Sequence, residues 1–170
     1  MLSQFPKFKP LDIDDREEIR RITQRHPPYS DFDFVSLWSW NVHNKMLVSK
    51  LHDNLVVLFS DYVSEKHFLS FIGENRIVET VSELIDFSKK HYHTDFLRLV
   101  PEELTTVLPG DIFKIETDRD SYDYIYSVSH LANMNNWSKN SSGKRIRKFI
   151  RSNPTYVVKQ LPMKDVPKEE

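Results

Sequence analysis

Apolar and polar positions along the first ninety residues alternate between helical and strand spacing. Asp12 to Arg25 has helical spacing. Asp12 or Asp14 can cap it, acids fill the first turn, and Arg20, Arg21 and Arg25 fill the last, as the helix dipole favours. Glu17 and Arg21 form an i,i+4 pair, and His26-Pro27-Pro28 ends the run. In YSDFDFVSLWSWN, Ser30 or Asp31 can cap a short helix, and Phe34, Leu37, Trp38 and Trp40 predict its burial. Met46–Leu51 and Leu55–Ser60 flank the polar triplet His52-Asp53-Asn54, which predicts a β-hairpin. Lys66–Ile72 reads as a third strand ended by Gly73. Arg76–Tyr92 reads as a long helix with Ile77, Val81, Leu84, Ile85 and Ser88 on one side and Lys89 and Lys90 at its end.

The second half has shorter elements. Phe96–Val100 predicts a buried strand, and Pro101 opens a brief helix. Ile112–Glu116 and Asp123–Ser127 predict two more strands around Asp118–Asp120. Ser129–Met134 and Ser142–Ser152 read as helices, Pro154 closes the second, and Thr155–Leu161 reads as a last strand. Hairpins mixed with long helices predict an α/β fold whose mixed sheet is largely antiparallel and flanked by helices. The expected organisation is a single domain over 1–161, followed by a polar tail at 162–170.

Composition narrows the class. The chain has 170 residues, 39% of them apolar and 29% charged, as in an ordinary globular domain. With three glycines it lacks the material for a glycine-rich nucleotide loop. No cysteine is present, which excludes disulfides and cysteine zinc sites and predicts the cytoplasm. The longest apolar run, Leu55–Phe59, is far below the roughly 20 residues a membrane span needs. Charge is distributed unevenly. Residues 139–170 hold nine Lys and Arg against three Asp and Glu, leaving fifteen bases against twenty-two acids elsewhere. A basic end on an acidic body predicts a localised anionic partner.

The charge concentrates in NSSGKRIRKFIRSNPTY, Asn140 to Tyr156, where Lys144, Arg145, Arg147, Lys148 and Arg151 stand with no acid among them. Ile146, Phe149 and Ile150 make an apolar stripe expected to face inward. Lys144 and Arg145 fall near the N-terminus of this helix, where the dipole disfavours cations. An anion held by the amides near Ser142 and Gly143 and by those side chains relieves the conflict. The alternative is a solvated basic face with a serine cap. On a strand, Tyr122, Tyr124 and Tyr126 share one side, either as a platform lining a pocket or as core residues. His91 and His93 lie at a helix end with no third metal ligand in reach, so no metal is expected there. No serine triad and no general base can be assigned.

Two stretches together resemble a known family. YSDFDFVSLWSWN is similar to the early S-[DE]-x-x-F…L-x-x-W signature of the phosphatidylglycerol lysyltransferase C-terminal-like domain. RDSYDYIYSVSHLANMNNWSKNSSGKRIRKFIRSNPTY resembles that family's R-x-x-x-DY-I-Y…L…K-R…F segment, with Arg119, Asp123, Tyr124, Ile125, Tyr126, Leu131, Lys144, Arg145 and Phe149 on the matching positions. The likeness runs from about Phe8 to Leu161.

This resemblance implies a GNAT-like fold (that of acyl-CoA N-acyltransferases), used in tandem, as in the related FemABX aminoacyltransferases. It implies transfer of an aminoacyl group from aminoacyl-tRNA to a lipid headgroup or another amine or hydroxyl. No cofactor beyond the donor is expected. Ser142, Gly143, Lys144, Arg145, Arg147 and Lys148 would hold tRNA phosphates, and Tyr124 and Tyr126 would line the pocket. The chain has room for the first of the two domains, so a second GNAT-like domain or subunit is expected, with work at the cytoplasmic face of a membrane. Two alternatives stand beside it: a non-catalytic half-domain or partner module, and an acyl-CoA-dependent N-acyltransferase. Against the acyl-CoA reading, Asn140–Arg145 puts Arg145 where the acetyl-CoA loop Q/R-x-x-G-x-G/A ends on a small residue.

Overall fold

A computed structural model describes residues 1–41, 46–61, 66–129 and 141–157, with only the helical backbone at 141 and 142. Its contacts divide into two compact units, Met1–Asp123 and Tyr124–Glu170. The first, the body, holds a four-stranded antiparallel open sheet in the order β1-β2-β3-β4. The strands are β1 (Lys9–Pro10), β2 (Leu47–Leu51), β3 (Asn54–Ser60) and β4 (His67–Ile72). Helices α1 (Arg16–Thr23) and α2 (Phe34–Ser39) cover one face, and α3 (Ile77–Tyr92) and α4 (Glu102–Thr105) pack against the other. This is the mixed α/β, antiparallel arrangement expected from the sequence.

The period-two alternation sets the layers. Val48, Leu55, Val57, Phe59, Phe68 and Ile72 meet Ile19, Phe32, Phe34 and Leu37 on the α1–α2 side. Val56, Leu58, Leu69 and Phe71 meet Val81, Leu84 and Leu104 on the other. β3 is buried on both faces, which explains its unbroken apolar run. The β2–β3 turn is tighter than expected, with two residues, His52 and Asp53, both at positive φ (51° and 63°), the primed geometry that matches strand twist. Asn54 belongs to β3 and is fully buried. Its Nδ2 donates to the Asn75 carbonyl (2.6 Å) and to Thr80 Oγ1 (3.0 Å), while Oδ1 accepts from Asn75 N (3.0 Å). One amide thus holds the turn between β4 and α3.

α1 starts where expected. Asp12 caps a 3-10 turn, Ile13–Asp15, and Asp15 returns a bond to the Asp12 N–H at 3.0 Å. Asp15 is fully buried, and the ammonium of Lys9 approaches its two oxygens at 2.6 and 2.8 Å. Asp15→Ala removes the return bond of the capping box and leaves a largely buried ammonium unpaired. We expect a loss of about 3 kcal/mol in urea unfolding. A loss below about 1 kcal/mol would show the pair to be idle.

Several expected elements differ. The short helix is capped by Asp33, whose carboxylate accepts from Val35 N and Ser36 N, rather than by Ser30 or Asp31. Of its apolar residues Phe34 and Leu37 are buried, but Trp38 and Trp40 are exposed, because a helix of this length has one buried side. Phe96–Val100 forms no strand. Its backbone bonds to β4 at Arg98 N to Leu69 O, 3.2 Å, and Leu99 turns to positive φ (57°), which ends any ladder. Ile112–Glu116 is also not a strand, since Ile112 N and Phe113 N fold back onto Pro109 O. Asp123–Ser127 forms no strand. Most of the helix expected at Ser129–Met134, the strand expected at Thr155–Leu161 beyond residue 157, and the tail lie outside the described residues. Thr155–Val157 is not in a strand.

Candidate functional site

The second unit is built around α5 (Ser141–Ser152), a twelve-residue helix with no acid in its first turn. At about 100° per residue, Lys144, Arg147, Lys148 and Arg151 fall within an arc of roughly 100°. They and Ser152 line a shallow open depression of about 490 Å³. Ile146, Phe149 and Ile150 lie on the opposite side. Their stripe was expected to face inward. Instead Ile146 is half-buried, and Phe149 and Ile150 are 54% and 42% exposed. What Phe149 meets is the ring of Tyr156, edge-on at 5.5 Å. The hydrophobic pattern specified which side is apolar, but a side becomes interior only if another layer covers it.

The expected anion site is therefore brought together in part. Lys144, Arg147 and Lys148 share one face, joined by Arg151. Arg145 sits off that stripe, beside the apolar edge. Gly143 is buried in the first turn, and Ser142 contributes helical backbone there. Tyr124 and Tyr126 do not line the depression. With Tyr122 and Ile125 they are exposed, Tyr124 at 87%.

The body carries a second polar cluster that sequence reasoning missed. After α1, the loop His26–Asp33 turns back over α4. His26 Nδ1 lies 2.6 Å from Glu103 Oε1. Ser30 donates its N–H to Asp123 Oδ2 at 3.0 Å and its hydroxyl to Asp123 Oδ1. Burial, then the Asp123 charge, pushes the Asp31 carboxyl above the usual range. Burial, then Glu103 and Glu102, pushes the Tyr29 phenol up. These pairs are 77 and 93 residues apart in sequence, so no local motif could announce them. Among the described residues, no group of three or more His, Asp or Glu could hold a metal ion. His91 stacks on Phe87, and His93 ends α3 at positive φ.

Asp31 gives a signed prediction. A carboxyl whose folded-state value is raised above its unfolded value opposes stability once ionised, and the penalty fades as pH falls through the folded-state value. Asp31→Asn should raise the melting midpoint at pH 7 by about 1–2 °C, with the gain shrinking towards acid pH. A gain that grows on acidification would contradict the assignment.

Among the described residues no helix is long and apolar enough to cross a membrane. Compared with protein-family models, curated proteins and solved structures, the chain matches none.

Proposed function

We propose that this chain is a GNAT-like acyltransferase-type domain that takes aminoacyl-tRNA as donor and works as one half of a two-domain or two-subunit enzyme. The acceptor is a lipid headgroup or another amine or hydroxyl. The observation that supports this reading is the stripe of Lys144, Arg147, Lys148 and Arg151 set opposite the apolar side of α5. Four cations along one helical face, spaced by turns, match a run of backbone phosphates better than a single bound ion. The ester of aminoacyl-tRNA is already activated, so the protein has to position donor and acceptor and stabilise the developing oxyanion. The extended antiparallel sheet with helices on both faces is compatible with the GNAT-like plan. The exposed run Tyr122–Val128 supports a partner domain or subunit, since large apolar exposure marks a surface made to be covered.

The test is tRNA binding as a function of salt. Four phosphate contacts give a slope of log affinity against log salt of about −3. Lys144→Ala with Arg145→Ala should weaken binding, and unchanged binding in that double variant disposes of the role given to these residues. Acetyl-CoA is the comparison ligand. If it raises the melting midpoint and tRNA does not, the acyl-CoA alternative replaces this reading.

A further inference from the structure

The two sides of α5 suit different surroundings. From Tyr124 to Lys164 the sequence carries eight Lys and Arg and no Asp or Glu. A protein surface mixes signs, so charge of one sign over this length suits a partner that is itself uniformly anionic. A nucleic acid and an anionic bilayer both qualify, and the apolar side of the helix separates them. Ile146, Phe149 and Ile150 follow at i, i+3 and i+4, and Phe149 and Ile150 are exposed. Phosphates and sugars give aliphatic side chains nothing better than water, whereas the boundary between headgroups and acyl chains does.

The end of the helix extends that side. Asn153 N and Nδ2 both donate to Phe149 O at 2.9 Å, and Tyr156 N donates to Asn153 O at 3.1 Å. This turn brings the Tyr156 ring back against Phe149. Tyrosine, with an apolar ring and a polar hydroxyl, suits headgroup depth. On a helical wheel Arg145 and Arg147 stand roughly 90–110° to either side of the middle of the apolar side. There a long side chain buries its stem and holds its charge among lipid phosphates. Lys144, Lys148 and Arg151 fall on the far side.

We propose that α5 lies flat on an anionic lipid surface, with Ile146, Phe149, Ile150 and Tyr156 set into the headgroup boundary and Arg145 and Arg147 flanking them. Twelve residues make a helix of about 18 Å, enough to lie in that boundary and too short to cross a bilayer. The inference rests on the lipid-acceptor part of the reading above, which it deepens, and does not need tRNA as donor. Lys144, Lys148 and Arg151 stay turned to water and open to donor phosphates, so the two ligands take opposite sides of one helix.

The probe is the full chain with vesicles of phosphatidylserine and phosphatidylcholine in equal parts, against phosphatidylcholine alone. The chain has no cysteine, so Ile150→Cys and Lys148→Cys each accept one polarity-sensitive fluorophore at a defined position. On the anionic vesicles the label at position 150 should shift to the blue and be quenched by nitroxides in the acyl chains. The label at position 148 should do neither. No change at position 150, or the same change at both, overturns the proposal. Unlabelled, Phe149→Gln with Ile150→Gln should partition onto these vesicles about tenfold less well, with its tRNA affinity as before. Unchanged partitioning in that variant means adsorption by charge alone and also overturns the proposal. Should that variant lose its helix by circular dichroism, the two labels decide. The two readings fail separately. A chain that binds tRNA without the shift at position 150 keeps its donor and loses the bilayer, and one that shows the shift but binds no tRNA keeps the bilayer and loses the donor.

Discussion

Gly73→Ala should destabilise the body by about 4–5 kcal/mol, a large part of the 5–15 kcal/mol available to a typical domain. Two effects add. Gly73 has φ +141°, a conformation L side chains rarely adopt, and forcing one there costs about 1–3 kcal/mol. The added methyl carbon would also lie 2.3 Å from Asn54 Oδ1 and 2.9 Å from Asn54 Cα. The second contact is to backbone and cannot be relieved by a rotamer. The first displaces an amide whose three bonds hold Asn75 and Thr80, leaving buried polar groups without partners. Urea unfolding should show the midpoint falling with little change in slope. Combined with Asn54→Ala, the loss should be smaller than the sum of the two single losses, because both act on one amide. A Gly73→Ala protein within about 1 kcal/mol of the original would mean that the turn relaxes freely.

Replacing Lys144, Arg147, Lys148 and Arg151 together by Ala should nearly abolish the salt dependence of tRNA binding. With four contacts, raising salt from 50 to 200 mM weakens the unmodified chain about 60-fold, while the variant should change little. At the lower salt its affinity should be about 100-fold poorer. Alanine is the best helix former, so α5 should persist, and circular dichroism checks this. Gel-shift titrations at three salt concentrations are sufficient. A variant that keeps the original slope places the phosphate contacts elsewhere and ends the case for this helix.

The body was legible in the sequence because its signals are local. The β2–β3–β4 meander follows from alternation around a two-residue turn, and α3 from an uninterrupted 3.6-residue period. β1 was not seen, since two residues containing Pro10 carry no period. The strands read at Phe96–Val100 and Asp123–Ser127 have the right residue types. Whether such a segment joins a ladder depends on a neighbour and on single backbone angles such as that of Leu99, which residue type does not encode. The site divides the same way. The charge of α5 and its two sides were readable, whereas the exposure of Phe149 and Ile150 and the offset of Arg145 were not, because they depend on what packs alongside. The His26–Glu103 pair was invisible for the opposite reason: its partners meet only through the fold.

The two borders of the sheet are not equivalent. Along β2 the chain from Ser3 to Leu11 is bonded at Phe5 N to Lys50 O and Leu11 N to Met46 O, and Pro6 and Pro10 have no N–H to offer an incoming strand. Along β4, the Arg98 amide occupies the Leu69 carbonyl. A strand added along β4 would have to compete with Arg98 for that carbonyl.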